Sequence, residues 1–365
     1  MAEDRRAPLD FDWLLFGASL ALSLIGVAFI NSAKAGTGAG LLSPEAARQL
    51  VALVLGLVGL FVITRIDYHR LVAIAPWAFG AALLLNVVVL FAGREIGGNK
   101  AWLRLGGLSV QPAELLKVAT LMLLAAVAAK REMRVRLLDI VVQCAIVALP
   151  VAIILRQKDM GTALTFAPLL AAIVFVSGIR WRWIIAVILV IAALAPVGWK
   201  TLSPHRKERV MITLDPQRDP SGRGYQSIQS TIAVGSGGVV GQGYKEGTQN
   251  RLGFLPERHT DFIFAIICEE IGFLGAAFVL GLYYIVLRRL ADAAILARDR
   301  LGGLLCLGAM MFIGVHLAVN VGMVLGLLPV IGITLPFLSF GGTSIIAFLA
   351  MIGLALNVRM RRLGR

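Results

Sequence analysis

Apolar residues run along this chain in long, nearly uncharged stretches that are separated by polar loops. A helix needs about 20 apolar residues to cross the hydrocarbon core of a bilayer. Ten stretches meet that requirement, at approximately 12–33, 48–65, 70–92, 112–130, 138–156, 160–178, 182–199, 261–288, 301–327 and 335–358. The pattern predicts an all-α polytopic membrane protein with about ten transmembrane helices, in which residues 1–365 form a single membrane domain.

Two polar segments between the predicted spans are longer than simple turns. The first covers residues 94–111, and the second is a large extracytoplasmic loop over residues 200–260, between spans 7 and 8. The large loop is rich in glycine, yet it carries more apolar residues than a flexible linker does. Those residues are Ile228, Ile232, Val234, Val239, Val240, Leu252, Phe254 and Leu255. They predict short helices and turns that pack on the mouth of the bundle as an ordered lid.

Composition and charge agree with the membrane class. Hydrophobic residues make up 58% of the chain and charged residues 15%, whereas a soluble domain carries about 25% charged residues. Most Lys and Arg residues fall in the loops on the side of the N-terminus, which predicts that both termini are cytoplasmic. The net charge of +14 then reflects topology and attraction to anionic lipid. Nucleic-acid binding is rejected, because no basic domain with interleaved aromatic residues is present.

The segment PERHTDFIFAIICEEIG places carboxylates at and inside the eighth predicted span. A charged side chain in a bilayer costs at least about 2.5 kcal/mol and marks a functional site by default. Asp261 lies at the outer mouth of this span, where it could act as a general base or could simply cap the helix. Glu257 and His259 crowd the same helix entrance, whereas Glu269 and Glu270 lie deeper and are expected to join a structural network.

The fourth predicted span carries a second pair of charges near its outer end. Glu114 and Lys117 are three residues apart and share one face of a helix. They could form a self-neutralising pair with Lys117 snorkelling outward, or Lys117 could bind a phosphate while Glu114 positions it. Arg104 lies just upstream and could bind phosphate oxygens in two-pronged fashion. Trp102 offers an amphipathic ring at the depth of the interface.

Two further residues have open roles, and the metal question is also open. Asp159 begins the sixth span, where a helix cap and a functional role are about equally supported. Arg48 begins the second span, where it could be an anchor or a ligand. The predicted substrate-binding set is Lys117, Arg104, Trp102, Glu114, Asp159, Arg48, Glu257 and His259. The sequence shows no cluster with metal-ligand spacing, so a metal site is neither predicted nor excluded.

Several segments together resemble one protein family. They are GNKAWLRLG, VQPAELLKVA, KDMGTAL, GTQNRLGFLPERHTDFIFA and LPFLSFGGTS, and they occur in that family's order over about residues 95–345. On these motifs the chain resembles the SEDS family of shape, elongation, division and sporulation proteins. The arginine in PERHTDF and the short tail after Arg359 favour the branch that acts in cell elongation, because the division paralogue commonly carries PEAHTDF.

The resemblance implies a peptidoglycan glycosyltransferase of the cytoplasmic (inner) membrane. Such proteins polymerise lipid II together with a class B penicillin-binding protein, a transpeptidase, and with other proteins of the elongation machinery. The α-linked donor and β-linked product imply inversion, so the reaction needs a base for the attacking hydroxyl and positive charge for the departing diphosphate. Asp261 then becomes the expected general base, and Lys117 and Arg104 become the expected partners of the diphosphate.

Three alternatives to this detailed assignment stay open at the level of the sequence. A divalent cation, Mg²⁺ or Mn²⁺, could join the substrate diphosphate, since Mg²⁺ often binds through one or two carboxylates and substrate phosphates. Ten spans with charged residues and a Gly/Pro-broken segment would also suit a lipid II flippase. A non-catalytic scaffold that activates its transpeptidase is the third reading.

Overall fold

A computed structural model describes most of the chain. The described residues are 11–34, 42–96, 99–105, 108–130, 136–178, 215–219 and 222–362, with 185, 207 and 211–212. Apart from residue 185, the predicted span 182–199 lies outside the described residues, as do most of residues 200–214.

The described part is dominated by helices. In chain order they are α1 (Trp13–Ala33), α2 (Pro44–Arg65), α3 (Tyr68–Ala73), α4 (Ala75–Ala92), α5 (Pro112–Ala129), α6 (Leu137–Arg156), α7 (Met160–Leu164), α8 (Phe166–Val176), α9 (Arg223–Ser236), α10 (Thr248–Arg251), α11 (Ile263–Ile295), α12 (Arg300–Val324) and α13 (Gly342–Met360). Eight of these are long and apolar enough to cross a membrane, namely α1, α2, α4, α5, α6, α11, α12 and α13. The prediction of a polytopic helical membrane protein is confirmed.

Polar residues at the start of the long helices fix where those helices begin. Asp12, Ser43 and Asp299 are N-caps of α1, α2 and α12, and the side chain of each accepts a hydrogen bond from the N–H of the third residue of its helix. Such caps satisfy N–H groups that lack a partner inside the helix. The last predicted span, 335–358, begins later than expected, because residues 335–341 form turns ahead of α13.

The sixth predicted span, 160–178, is divided into two helices. Asp159 caps α7, and α8 starts after Thr165, whose hydroxyl donates to the Thr162 carbonyl at 2.7 Å. Pro168 has no N–H to offer the carbonyl of Leu164. The competing hydroxyl and the missing donor together account for the break. Within the described residues, Met160–Val176 is an apolar helical stretch shorter than the helices that are long enough to cross a membrane.

Residues 94–110 form a small antiparallel sheet, which an all-α prediction did not foresee. Its strands are β1 (Arg94–Ile96), β2 (Asn99–Leu105) and β3 (Leu108–Val110), in the order β1-β2-β3. The sequence places Gly-Gly pairs between these strands, and that dipeptide is favoured in hairpin connections. The N–H of Lys100 donates to the Gln157 carbonyl at 3.1 Å. The sheet is therefore fastened to the turn between α6 and α7.

The centre of the bundle is α13. Most of its residues are buried, and it packs against α1, α2, α5, α11 and α12. The small sheet, residues 157–159, residues 237–262 and residues 325–341 connect the long helices at one end of the bundle, called here the Asp261 end, and hydrogen bonds join them there to one another and to the neighbouring helix ends. The opposite end, where α13 finishes, is called the Arg359 end.

Helix α11 is broken at Gly272, which adopts φ 64° and ψ −165°. Residues 237–243, called here the insert segment, fill the break. N–H groups of the insert segment donate to the carbonyls of Glu269 and Glu270 at 3.0 and 2.9 Å, and its carbonyls accept from the two N–H groups that follow Gly272 at 2.9 and 3.1 Å. Unpaired backbone groups inside a membrane cost several kcal/mol each. The insert segment thus lets the helix stay broken with its backbone satisfied.

The side chains of Glu269 and Glu270 tie the same loop to the bundle. Glu269 is fully buried and accepts from the N–H groups of Gln249 at 2.7 Å and Asn250 at 3.3 Å, at the start of α10. Glu270 is also fully buried and accepts from the hydroxyl of Ser32 at 2.5 Å and the amide of Asn250 at 2.8 Å. Both residues belong to a structural network, as expected. The predicted short helices and turns are confirmed over residues 222–262.

Candidate active site

Asp261 lies in a turn whose backbone is held at three consecutive positions. The carbonyls of residues 259–261 accept, in that order, from the N–H of Phe340 at 2.9 Å, the hydroxyl of Ser339 at 2.5 Å and the amide of Asn320 at 2.8 Å. Phe340 and Ser339 belong to the LPFLSFGGTS motif, and Asn320 lies near the end of α12. A carboxylate that must receive a proton in one geometry benefits from such a rigid support.

The side chain of Asp261 does not serve as a helix cap. Helix α11 begins at Ile263, its N-cap is Phe262, and no side chain bonds to the first N–H groups. The helix-cap alternative is therefore wrong. The carboxyl is half-buried and faces the loop between α12 and α13, where a Cβ placed on Gly332 would lie 3.3 Å from Oδ2. Glycine at this position leaves the space beside the carboxyl open.

The surroundings of Asp261 raise its pKa to about 7, from an ordinary value of 3.8. Burial is the largest cause, because it disfavours the charged form, and the negative charges of Glu257 and Asp159 act in the same direction. A hydrogen bond from Thr260 opposes the shift. A carboxyl with a pKa near the working pH is well suited to accept and release a proton.

Asp159 has a structural role as well as an electrostatic one. Its carboxylate accepts from the N–H of Thr162 at 3.0 Å, the hydroxyl of Thr162 at 2.8 Å and the side-chain amide of Gln111 at 2.9 Å. The N–H of Gln111 in turn donates to the hydroxyl of Thr343 at the start of α13. The cap interpretation of Asp159 is confirmed, and a direct role toward a substrate stays a prediction.

Glu114 and Lys117 form a buried cluster with a third residue, His316 of α12. The Nζ of Lys117 lies 2.8 Å from Oε1 of Glu114 and 2.9 Å from Nε2 of His316. Lys117 is 1% exposed, so its ammonium does not reach the surface. The paired interpretation holds, whereas outward snorkelling of Lys117 is wrong. Phosphate binding by Lys117 stays a prediction, and it requires that this cluster become accessible.

The hydrogen bonds of His316 define its tautomer. Nδ1 lies 2.7 Å from the carbonyl of Phe312, which can only accept, so Nδ1 carries the proton. Nε2 is then free to accept from the ammonium of Lys117. Asn320 follows His316 by four residues and therefore lies on the same face of α12. Its amide donates to the carbonyls of Asp261 and Ile333, at 2.8 and 2.7 Å. One helix face thus connects the buried cluster to the backbone of Asp261.

The remaining predicted residues lie on the loop before α11, near the start of α2 and on β2. Glu257 is exposed and adopts φ 48°, and its carbonyl accepts from the N–H groups of Thr260 and Asp261. Arg48 is exposed near the start of α2, and Trp102 is half-buried on β2. Arg104 also belongs to β2, but its side chain lies outside the described residues. Substrate binding by Arg48, Trp102 and Arg104 stays a prediction.

His259 is half-buried and its ring lies 5.6 Å from that of Phe340. Burial, aided by the positive charge of Lys34, lowers the pKa of His259 below its ordinary value of 6.5. The imidazole is therefore mostly neutral at pH 7, and it offers one N–H donor and one nitrogen acceptor. Among the described residues, no cluster of three or more His, Cys, Asp or Glu side chains could hold a metal ion.

His316, Asn320 and Ser339 take part in this arrangement, although the sequence pattern did not single them out. His316 and Asn320 stand inside a span of otherwise apolar residues, and polar residues are costly there. That cost could have identified His316 and Asn320 as candidates from the sequence. The role of Ser339 had no such signal, because a single serine in a loop is common.

Three comparisons place the chain among known proteins. The family described as "Cell cycle protein", which groups FtsW, RodA and SpoVE, matches residues 12–363. The peptidoglycan glycosyltransferase MrdB of Escherichia coli (strain K12) is 35% identical and aligns with 86% of this chain and 85% of its own length. RodA of Treponema pallidum is 30% identical, over 98% of this chain and 99% of its own. A probable FtsW of Trichlorobacter lovleyi is 36% identical, over 98% and 96%.

Solved structures agree with these sequence relationships. A chain of a peptidoglycan synthase complex, studied for its coordination of polymerization and crosslinking, superposes with a TM-score of 0.83 at 38% identity, covering 97% of this chain and 98% of that one. RodA of Thermus thermophilus superposes with a TM-score of 0.71 at 32% identity, covering 97% and 98%. The chain therefore belongs to the SEDS family of FtsW, RodA and SpoVE proteins.

Proposed function

We propose that this protein is a RodA-type peptidoglycan glycosyltransferase that polymerises lipid II, with Asp261 as its general base. The observation that carries the proposal is the half-buried carboxyl of Asp261, whose pKa is raised to about 7. It stands on a turn whose carbonyls at residues 259–261 each accept a hydrogen bond from a distant residue. The curated names of the E. coli and T. pallidum relatives support the reaction class.

The chemistry needs one proton acceptor and one place for negative charge. The attacking sugar hydroxyl forms the new glycosidic bond at the anomeric carbon while the bond to the undecaprenyl diphosphate breaks. Asp261 receives the hydroxyl proton, and the diphosphate leaves with the bonding electron pair. Because the nucleophile attacks opposite the leaving group, the configuration inverts and no covalent sugar–enzyme intermediate is required.

The diphosphate needs positive charge near the Asp261 end. Arg48 is exposed there. The ammonium of Lys117 is buried and bonded to Glu114 and His316. Lys117 contributes directly only if substrate entry separates it from this cluster.

A divalent cation bound to the diphosphate itself, Mg²⁺ or Mn²⁺, is an additional part of the proposal. Loss of polymerisation in a chelator, restored by added Mg²⁺ or Mn²⁺, supports it.

The distribution of charge supports an orientation. Basic residues are concentrated at the Arg359 end, including Arg65, Lys130, Arg288, Arg298 and Arg362. Cytoplasmic loops carry such an excess of Lys and Arg. We therefore infer that the Arg359 end and both termini face the cytoplasm, and that the Asp261 end faces the outside of the cytoplasmic (inner) membrane, where lipid II is polymerised.

A partner is also part of the proposal. The structurally similar chain belongs to a complex that coordinates polymerization with crosslinking. A class B penicillin-binding protein is accordingly the expected transpeptidase partner, within the elongation machinery. Co-purification of the protein from membranes with such a transpeptidase supports this assignment. Stable complexes of the protein that lack a transpeptidase oppose it.

The experiment that tests the reaction is lipid II polymerisation by the purified protein with its transpeptidase. Asp261→Asn preserves the shape of the side chain and removes the proton acceptor. We expect near-complete loss of polymer, with normal membrane insertion and partner binding. Substantial polymer from this variant would favour a flippase or a non-catalytic scaffold instead.

A further inference from the structure

A cluster of arginines surrounds one buried carboxylate at the Arg359 end, far from the catalytic residues. The side chain of Asp12 is 1% exposed and lies 2.9 Å from Nε of Arg289 and 2.7 Å from Nη1 of Arg359. Arg289 belongs to α11 and Arg359 to α13, while Asp12 caps α1. One carboxylate therefore faces two guanidinium groups and cannot neutralise both.

A cavity of about 250 Å³ opens beside this cluster. It is lined by Phe11, Asp12, Trp13, Leu14, Arg289, Arg359 and Arg362. Among the described residues of that lining, Arg289 and Arg359 share the single carboxylate of Asp12. The nearby carboxylate of Asp292 does not restore the balance, because it is itself shared between Arg288, at 3.4 Å, and Arg289, at 3.9 Å.

The position of the cavity indicates what kind of anion would enter it. Trp13 is 69% exposed and Leu14 is 53% exposed, and both stand at the first turn of α1. Aromatic side chains at such positions lie at the boundary between lipid and water. Arg359 is one residue from the end of α13. The cationic lining and the apolar rim thus meet at the depth of lipid headgroups.

We propose that this cavity binds the phosphate of an anionic phospholipid headgroup. Guanidinium groups bind phosphate oxygens in two-pronged fashion, and basic pockets between helices at the cytoplasmic side suit acidic headgroups. The acyl chains would leave along Trp13 and Leu14. The same phosphate chemistry would admit a free phosphate ion, but an ion gains nothing from the apolar rim.

Substitution of Asp12 separates the proposal from a purely structural role, because the proposal predicts that lipid retention increases. The carboxylate of Asp12 competes with a lipid phosphate for Arg289 and Arg359. Asp12→Asn keeps a side-chain oxygen that can cap α1 and removes the competing charge. Lipid retention should therefore increase in this variant. A purely structural ion pair makes no such prediction, because its removal would only loosen the junction of the three helices.

The test measures lipid retention by the full-length protein in nanodiscs, using native mass spectrometry after detergent release. The probes are phosphatidylglycerol and phosphatidylcholine, offered in equal amounts. Arg289→Gln and Arg359→Gln should each lower retention of phosphatidylglycerol by about fivefold, the loss expected for one basic residue. Arg288→Gln is the matched control, because Arg288 is 60% exposed and does not line the cavity. It should leave retention unchanged.

Several outcomes would overturn the proposal. Equal retention of the two lipids by the wild type excludes headgroup selectivity. Equal losses in Arg288→Gln and Arg289→Gln reduce the effect to general surface charge. Inorganic phosphate that displaces phosphatidylglycerol at millimolar concentration assigns the cavity to a free anion. If Arg289→Gln fails to insert, Arg289→Lys and Asp12→Asn decide the matter, and reduced phosphatidylglycerol retention in Asp12→Asn contradicts the proposal.

Discussion

The pKa of Asp261 leads to a specific dependence of polymerisation on pH. With a pKa of about 7, the carboxyl is ionised in about one-tenth of molecules at pH 6 and in about nine-tenths at pH 8. If ionised Asp261 is the base, the rate at limiting lipid II should rise about tenfold between these values. An aspartate with the ordinary pKa of 3.8 is almost fully ionised at both, and it predicts a flat profile.

Two variants should shift the midpoint of this pH–rate profile in opposite directions. The negative charge of Glu257 raises the pKa of Asp261, so Glu257→Gln should shift the midpoint to lower pH. The hydrogen bond from Thr260 lowers that pKa, so Thr260→Val should shift the midpoint to higher pH. The opposite signs distinguish titration of Asp261 from titration of the substrate diphosphate, for which no such pair of opposite shifts is expected.

The assay is initial-rate polymerisation of lipid II by the purified complex from pH 5.5 to 8.5 at constant ionic strength. The fraction of inserted, partner-bound protein is measured at each pH, so that unfolding is not mistaken for titration. A flat profile from pH 6 to 8 would refute the reasoning. Equal midpoints in Glu257→Gln and Thr260→Val would refute it as well.

Three further predictions concern positions that support the site. Gly272→Ala should strongly lower thermal stability and polymerisation, because its Cβ would lie 2.3 Å from the backbone of the insert segment; Gly281→Ala, in open space on the same helix, should be nearly neutral in both assays. Lys117→Ala should destabilise the protein by about 3–5 kcal/mol, because Glu114 is left buried without its partner. The same variant should impair synthesis far more than Lys130→Ala, the exposed loop control. Equal small effects of the two variants would contradict this prediction. Replacing residues 226–240 with a Gly/Ser linker of equal length should abolish polymerisation while membrane insertion persists, since it removes most of α9 and part of the insert segment; full activity would show that the loop is a tether and not a lid.

Local features of the sequence determined the membrane class and most of the long helices. Apolar runs of about 20 residues can satisfy their backbone in a bilayer only as helices or closed barrels, so the hydropathy pattern predicted most of the spans, although 160–178 is divided and the last helix begins at Gly342. Asp159 could be recognised as a possible cap because a cap depends on neighbouring residues. The motif around Asp261 could be singled out as a candidate site for a similar reason, because carboxylates next to an apolar run are costly wherever the run packs.

Contacts between distant segments were decided only by the tertiary structure. Gly272 is an ordinary helix residue in a hydropathy profile, and its break exists because residues about 30 positions earlier supply the missing hydrogen bonds. The partnership of Lys117 with His316 crosses from α5 to α12. The pKa of Asp261 depends on Asp159, about 100 residues earlier in the chain. Burial and electrostatic interaction depend on distance in space, and the order of residues along a chain does not fix that distance.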